Sequence, residues 1–380
     1  RLNDTVIVAA PTGVYKGVVT AIGSGAVGAD ITVATYNGDT IPTSGNTADS
    51  ATTLFVYGSE YAKGTGYNQA TAATVESRGA NEPDFKTFSN KPIILKDYYE
   101  VSGSDASRIG WVEIASEEGA SGYLWYLKAE SDTRARFNDY LEMAMIESEI
   151  NRLDSPASGV DDFLYGADGT NAVGSEGLFA AIEDRGNMTS GVTGVNAATD
   201  LAEFDAILAE FDSQGAIEEN MMFVNRATSL AIDDMLASMN SHGAGGTSYG
   251  VFENDEDMAL NLGFSGFRRG SYDFYKSDFR YLNDKATRGG INAANAAGAI
   301  RGVMIPAGTS TVYDQTLGKN LKRPFLHVRF RASATDNRKM KTWTTGSVGA
   351  TTSALDAMQI HMLSERCLVV QGANNFMLMN

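Results

Sequence analysis

Apolar and polar positions alternate in short runs through the first sixty residues: Val6 to Val8, Gly17 to Ile22, Ile31 to Tyr36 and Thr52 to Tyr57, divided by Gly, Asn and Asp. Runs of this kind between turn residues predict strands, so the region is expected to form a small sheet or an extended arm. Thr71 to Ser77 and Phe85 to Tyr99 are two further strand candidates, with Arg78-Gly79-Ala80-Asn81-Glu82-Pro83 as a polar tip between them. They predict a long hairpin, and because neither side carries much core-type sequence the hairpin is expected to project. The period then changes. Between Gly122 and Leu153 no Gly or Pro follows Gly122, and Phe137, Leu141, Ala144 and Met145 fall at helical spacing. Lys128 with Asp132, Asp132 with Arg136 and Glu130 with Arg134 stand four apart, the spacing of ion pairs on one helix face. One helix of roughly 30 residues, about 45 Å at 1.5 Å per residue, is expected. Asp154-Ser155-Pro156 should end it, since proline cannot continue the hydrogen-bond ladder.

The second half mixes the two periods. A glycine-rich connection, Gly166 to Gly177, leads to a helix over Leu201 to Phe211, with Thr199-Asp200 as its cap and Glu203 near the third helical position. Met221 to Val224 predicts a buried strand and Thr228 to Met239 a third helix. Two aromatic strands follow, around Leu262 to Arg268 and Tyr272 to Tyr281, joined at Arg269-Gly270. In the last eighty residues Phe325 to Arg331 is the clearest strand: Leu326, Val328 and Phe330 alternate with His327, Arg329 and Arg331, giving an apolar face and a basic one. No repeat of fixed period is present. The fold class is therefore α+β.

Composition narrows the function classes. With 380 residues, 43% hydrophobic and 20% charged, the chain is that of a folded protein. Its 40 Gly against 7 Pro, and a formal charge of −17, are its unusual values. A chain this acidic repels a phosphate backbone, which argues against general nucleic-acid binding. Charge is also segregated. From Asp200 to Leu260 thirteen acidic residues meet one basic residue, Arg226, for −12; from Lys319 to Lys341 eight basic residues meet one acidic residue, Asp336, for +7. Either these are two solvated faces of one domain, or surfaces of opposite sign meet between identical copies. A single cysteine, Cys367, excludes an internal disulfide framework. No apolar stretch of about 18 residues is present, so no membrane helix is expected. The first 25 residues lack the layout of a secretory signal. Arg1 in place of an initiator methionine is compatible with trimming or with a proteolytic cut.

Each candidate for chemistry has a plainer structural reading. Gly23-Ser24-Gly25-Ala26-Val27-Gly28 matches the dinucleotide fingerprint, but the run that follows, Ile31 to Tyr36, is strand-like where the fingerprint needs a helix N-terminus. A glycine-rich turn is expected instead. Gly246-Thr247-Ser248-Tyr249-Gly250 fits the nucleophile-elbow pattern, yet what precedes it, Ser241-His242-Gly243-Ala244-Gly245, is not a hydrophobic strand. His242, His327 and His361 are too far apart in sequence to build a metal site on one helix. Glu253, Asp255, Glu256 and Asp257 lack calcium-loop spacing and read as a solvated acidic turn. Cys367, beside Leu368-Val369-Val370, reads as a small buried hydrophobe. Tyr272, Phe274, Tyr275, Phe279 and Tyr281, interrupted by Asp273 and Asp278, read as core and cross-strand packing and not as a base-stacking platform. No catalytic, cofactor-binding or metal-ligating residue is assigned, and the expectation is a structural protein and not an enzyme.

The residues that carry a family likeness are Asn90-Lys91-Pro92-Ile93-Ile94-Leu95-Lys96-Asp97-Tyr98-Tyr99-Glu100-Val101-Ser102-Gly103-Ser104-Asp105, Gly122-Tyr123-Leu124-Trp125-Tyr126-Leu127, Lys319-Asn320-Leu321-Lys322-Arg323-Pro324-Phe325-Leu326 and Gln371-Gly372-Ala373-Asn374-Asn375-Phe376. With them the chain resembles major capsid proteins of tailed double-stranded DNA bacteriophages, which share the Hong Kong 97 phage capsid fold. It looks closest to the coat proteins of large contractile-tailed phages, from about Tyr57 onward. The resemblance implies an N-terminal arm and β-rich segment over 1–64, an extended hairpin loop over 65–102, a peripheral domain over 103–215 with its spine helix at 122–153, an axial domain over 216–310 and return strands of the peripheral domain over 311–380. It implies self-assembly into hexamers and pentamers of an icosahedral shell that encloses double-stranded DNA without gripping it, in a virion built in the bacterial host cytoplasm. Vertex, decoration, scaffolding and portal proteins are the further partners it implies; no cofactor and no membrane are. Deleting Gly79 to Glu82 is then expected to weaken particle assembly while leaving the subunit folded. The alternatives are a secreted or surface-layer β-rich lattice protein, and a hydrolase using Ser248 with a distant His327 or His361.

Overall fold

The computed structural model describes residues 1–10, 13–25, 28–41, 52–64, 68–71, 74–77, 87–107, 114–115, 121–122, 125–151, 159–165, 173–215, 217–240, 266–293, 298–314 and 319–380. They fall into two compact units, Arg1–Phe88 and Ser89–Asn380.

The first unit holds β1 (Asp4–Ala10), β2 (Gly13–Gly25), β3 (Gly28–Thr35) and β4 (Thr53–Ser59), an antiparallel sheet in the order β3-β2-β1-β4, and a separate short pair, β5 (Asn68–Thr71) and β6 (Thr74–Ser77). The four predicted runs all become strands of this sheet. Its core is small: Val6, Val8 and Val19, with Tyr15, Val33 and Ile41 against them. The glycine fingerprint lies across the β2-β3 connection, where Gly25 pairs with Gly28 and a strand follows in place of a helix.

In the second unit the chain runs through β7 (Ile93–Ser102), α1 (Gly103–Ala106), β8 (Ile114–Ala115), β9 (Ser121–Gly122), α2 (Trp125–Glu147), β10 (Ile150–Asn151), α3 (Gly159–Tyr165), β11 (Val173–Gly174), α4 (Leu178–Arg185), β12 (Asn187–Thr189), α5 (Ala197–Gln214), β13 (Glu219–Val224) and α6 (Arg226–Asn240). There follow β14 (Gly266–Arg269), β15 (Tyr272–Asp278), α7 (Arg288–Ala293), β16 (Gly302–Pro306), β17 (Thr309–Asp314), β18 (Lys319–Pro324), β19 (Leu326–Phe330), β20 (Lys341–Gly346), β21 (Ala357–Val370) and β22 (Met377–Met379).

A mixed six-stranded sheet, β12-β22-β16-β13-β15-β14, forms the centre. Successive side chains of a strand point to opposite faces, and here both faces are covered. Met222, Met304, Met377 and Met379 meet Phe204, Ile207 and Phe211 of α5 and Ile232, Met235 and Leu236 of α6. On the other face Val303 and Leu378 meet Leu178, Phe179 and Ile182 of α4, Met145 of α2 and Leu368 of β21. β21 carries the second sheet: β7 pairs along one side of it, and β20 and β19 follow one another along the other. α2 packs on this sheet through Phe137 and Leu141, which meet Leu95 and Met362.

Several expectations change. The spine helix covers Trp125–Glu147 and not 122–153: Gly122 belongs to β9, and Ser148 N–H closes the last turn on Ala144 before the chain turns into β10. Its 23 residues span about 35 Å. Pro156 lies outside the described residues. Arg134 pairs with Glu130 at 2.7 Å as the spacing requires, but Arg136 reaches across to Asp97 at 3.0 Å and not along the helix to Asp132. Of the hairpin expected between Thr71 and Tyr99, β7 starts at Ile93 and pairs over ten residues with β21, β5 pairs with β6, and Arg78 to Lys86 lie outside the described residues. β7 alternates half-buried with exposed positions, so one face is free to meet α2. The helix expected over Leu201 to Phe211 extends to Ala197–Gln214. Its cap is Asn196, whose side chain accepts from Thr199 N–H, while Asp200 is buried and accepts from Gly194 N–H. Gly215 ends it at φ 63°, where a side chain would be strained.

Candidate functional site

The groups that stand out connect elements instead of gathering around a cavity. Spine helix α2 is fastened at its middle and at its C-terminal end. Near its middle Arg136 holds Asp97 of β7. At its end Glu147 accepts from Tyr281 Oη at 2.8 Å and from Arg288 Nη1 at 2.5 Å, and Arg288 also donates to Gly298 O and lies over the Phe179 ring. These contacts tie the spine to the segment between β15 and β16. Asn90, just before β7, is saturated: Nδ2 donates to Glu176 O and Leu368 O, and Oδ1 accepts from Glu176 N–H, Ser175 Oγ and Lys91 N–H. Beside it Glu176 takes both terminal nitrogens of Arg185 into account, receiving one on each carboxylate oxygen at 2.8 and 2.6 Å. The 310 Å³ cavity at this point is lined by Glu149, Ile150, Glu176, Ala180 and Asp184.

The segregated charge is partly neutralised within the chain. In the basic stretch, buried Glu365 takes Arg331 at 3.1 Å and Arg338 at 2.5 Å, and Asp336 takes Lys341 at 2.9 Å. Lys339 and Arg366 both approach the Phe330 ring, at 5.3 and 5.0 Å, which favours cations over the ring face. Burial pushes the Arg366 guanidinium down. Lys322 and Arg329 stay exposed. In the acidic stretch Asp205 holds Arg269 through two bonds, Asp212 accepts from Tyr272 Oη, Asp233 holds Lys276, and Glu203 accepts from Thr193.

Among the described residues, several of the sequence candidates sit in packing contacts. Tyr272 and Phe274 are core residues, and Phe274 meets Phe204 edge-on at 5.1 Å. Tyr281 reaches Glu147, whereas Tyr275 is exposed. His327 Nδ1 lies 3.0 Å from Pro324 O, and burial pushes its imidazole down. Cys367 is half-buried, and burial pushes its thiol up. His361 lies between Tyr98 and Trp343, at ring separations of 5.9 and 5.2 Å in three adjacent strands, with Nε2 2.7 Å from Thr345 Oγ1. Ser248, His242, and Glu253 to Asp257 lie outside the described residues. Among the described residues no three His, Cys, Asp or Glu side chains are grouped to hold a metal ion, and no helix is long and apolar enough to cross a membrane. Sequence reasoning missed Asn90, Glu147 and Arg288. Their partners come from far along the chain, so no local spacing marks them.

Two tyrosines make a pH dependence. Burial, then the hydrogen bond to Asp212, pushes Tyr272 up to about 12, and burial with the Glu147 bond pushes Tyr281 up as well. Both stay neutral in the fold at a pH where the unfolded chain gives up their protons. Their contribution to stability is therefore complete below pH 10 and lost as pH rises toward 12. Melting temperatures at pH 9 and pH 11 are expected to differ more for the wild type than for a Tyr272→Phe/Tyr281→Phe chain.

No family model and no curated protein matches the chain. Among solved structures it is similar to the capsid structure of cyanophage P-SCSP1u at 8% identity, with a TM-score of 0.36 over 82% of this chain and 80% of that one. It is similar to the procapsid of satellite phage P4 with its size determination protein at 13% identity, TM-score 0.32, covering 83% and 80%. The mature capsid of bacteriophage PhiM1 is a third, at 9% identity, TM-score 0.32, covering 82% and 79%.

Proposed function

We propose that this chain is the coat subunit of a tailed-phage shell with the Hong Kong 97 fold, assembling with its own copies into hexamers and pentamers around double-stranded DNA, and that it performs no catalysis. The observation that carries the reading is the spine. A 23-residue helix lies on a sheet built from β7 and β21 and is tied at its end, through Glu147, to Tyr281 and Arg288. The sequence likeness at Asn90 to Asp105 and Gly122 to Leu127 implies the same capsid fold. In it, Ala216 to Pro306 lies largely in the axial domain, and the strands after 311 return to the peripheral domain. A charge of −17 suits a lining that must not adhere to packed DNA. Vertex, decoration, scaffolding and portal proteins are further partners under this reading, and the virion is its location. Negative-stain electron microscopy of the purified chain tests it: closed icosahedral particles of megadalton mass are expected. Flat sheets would favour the surface-layer lattice, and a hydrolase activity lost in Ser248→Ala would favour the enzyme.

A further inference from the structure

Strand β4 is a sheet edge without the protection that natural edges carry. It closes one side of β3-β2-β1-β4, and its other edge pairs with nothing among the described residues. All seven of its residues are exposed, including Leu54 at 38%, Phe55 at 62%, Val56 at 45% and Tyr57 at 48%. Free edges are usually blunted by a charge, a proline or a bulge, because unpaired N–H and C=O groups invite another strand. Thr53 to Ser59 contains neither charge nor proline. The strand does have a bulge, but it falls at Tyr57: Val6 pairs with Val56 and Thr5 with Gly58, which leaves Thr53 to Val56 in regular register. The sheet itself buries little, with Val6, Val8 and Val19 as its core.

We infer that β4 pairs antiparallel with β4 of a second copy of this chain, joining two four-stranded sheets into one of eight strands. Charge selects the partner. Two copies at −17 repel each other, and contact is cheapest where neither surface carries charge, as in Thr53 to Ser59. The strand can also serve as its own complement. A two-fold axis perpendicular to the sheet through Phe55 sets Phe55 opposite Phe55 and Leu54 opposite Val56, with apolar groups paired on both faces. Augmentation of this kind draws its affinity from backbone bonds and its selectivity from alternate side chains. The four apolar side chains expose about 350 Å² per copy, taking aromatic side chains at 150–250 Å², less than half of the ~800 Å² that a standard interface buries per partner. The contact is therefore weak alone and is best read by covalent trapping. The inference rests on the shell reading only for bringing many copies together.

The test uses the full chain with Cys367→Ser. After oxidation with diamide, Phe55→Cys is expected to give a disulfide-linked dimer, while Ile31→Cys on the opposite edge strand gives at least tenfold less. Leu54→Cys mixed with Val56→Cys is expected to cross-link better than either variant alone, because the two positions face each other. Equal cross-linking at positions 31 and 55, or none at 55, overturns the inference. These side chains are exposed, so the substitutions do not touch the core. The shell reading is separated by microscopy. Shells of Phe55→Lys equal in number to the wild type would keep the shell and overturn the strand pairing. Site-selective dimers in a preparation that never forms shells would keep the pairing and remove the shell.

Discussion

Asp233→Ala is expected to destabilise the chain by about 3–5 kcal/mol, because it strands a buried ammonium. Lys276 of β15 is 5% exposed; its Nζ lies 2.5 Å from Asp233 of α6 and 3.1 Å from Ser229 O. With the carboxylate gone, the carbonyl of Ser229 is what remains of that pairing, and one neutral acceptor does not replace the hydration of a charged amine. The pair itself need not be a large net gain. Taking two charges out of water costs nearly as much as their attraction returns, so Lys276→Met/Asp233→Leu, which fills the same space with apolar atoms, is expected to lie within about 1–2 kcal/mol of the wild type. Urea unfolding of both variants checks this, provided the slope is unchanged and the midpoint alone moves. A single variant as stable as the double would mean that water reaches Lys276.

Asn90→Ala should cost roughly 3 kcal/mol by the same measurement. Its amide makes five hydrogen bonds, four of them to Ser175, Glu176 and Leu368. Losing a side chain that satisfies buried backbone groups costs about 1–3 kcal/mol for each group left without a partner, tempered here because the site is only half buried. Asn90→Asp keeps the acceptor but loses the donor and sets a charge against two carbonyl oxygens. It is expected to be no better than alanine, and its deficit should shrink at low pH as the carboxylate takes up a proton.

How much of this could be read beforehand depended on how local the cause was. The strands of the first unit, the α5 and α6 helices and the buried face of the spine rest on periodicity within one segment, as at Phe137, Leu141 and Met145. The partner of β7 was misread, because sequence adjacency suggested a hairpin while its side chains fit β21, at the far end of the chain. The spine was read too long because nothing between Gly122 and Leu153 forbids a helix; it stops at Glu147 where Gly177 N–H bonds to Ser148 O and β10 pairs with β11. The cap of α5 lies at Asn196, three to four residues before Thr199-Asp200, since Asn196 and Asp200 are both competent acceptors and only the path of the preceding chain decides between them. Nothing local marked the bonding roles of Asn90 and Arg288, since these are fixed by groups that arrive from elsewhere.

The pairing of β7 with β21 also sets an order of events in synthesis. Glu100 and Gln359, side by side in the finished sheet, are 259 residues apart in sequence, and β22, which lies inside the six-stranded sheet, is made of Met377 to Met379. Closing such long loops is slow, and it is not possible until β21 and β22 have been made. A nascent or truncated chain therefore exposes two open sheet edges and has no seat for its spine. A copy cut before β21 thus differs from an intact one in shape and not only in length.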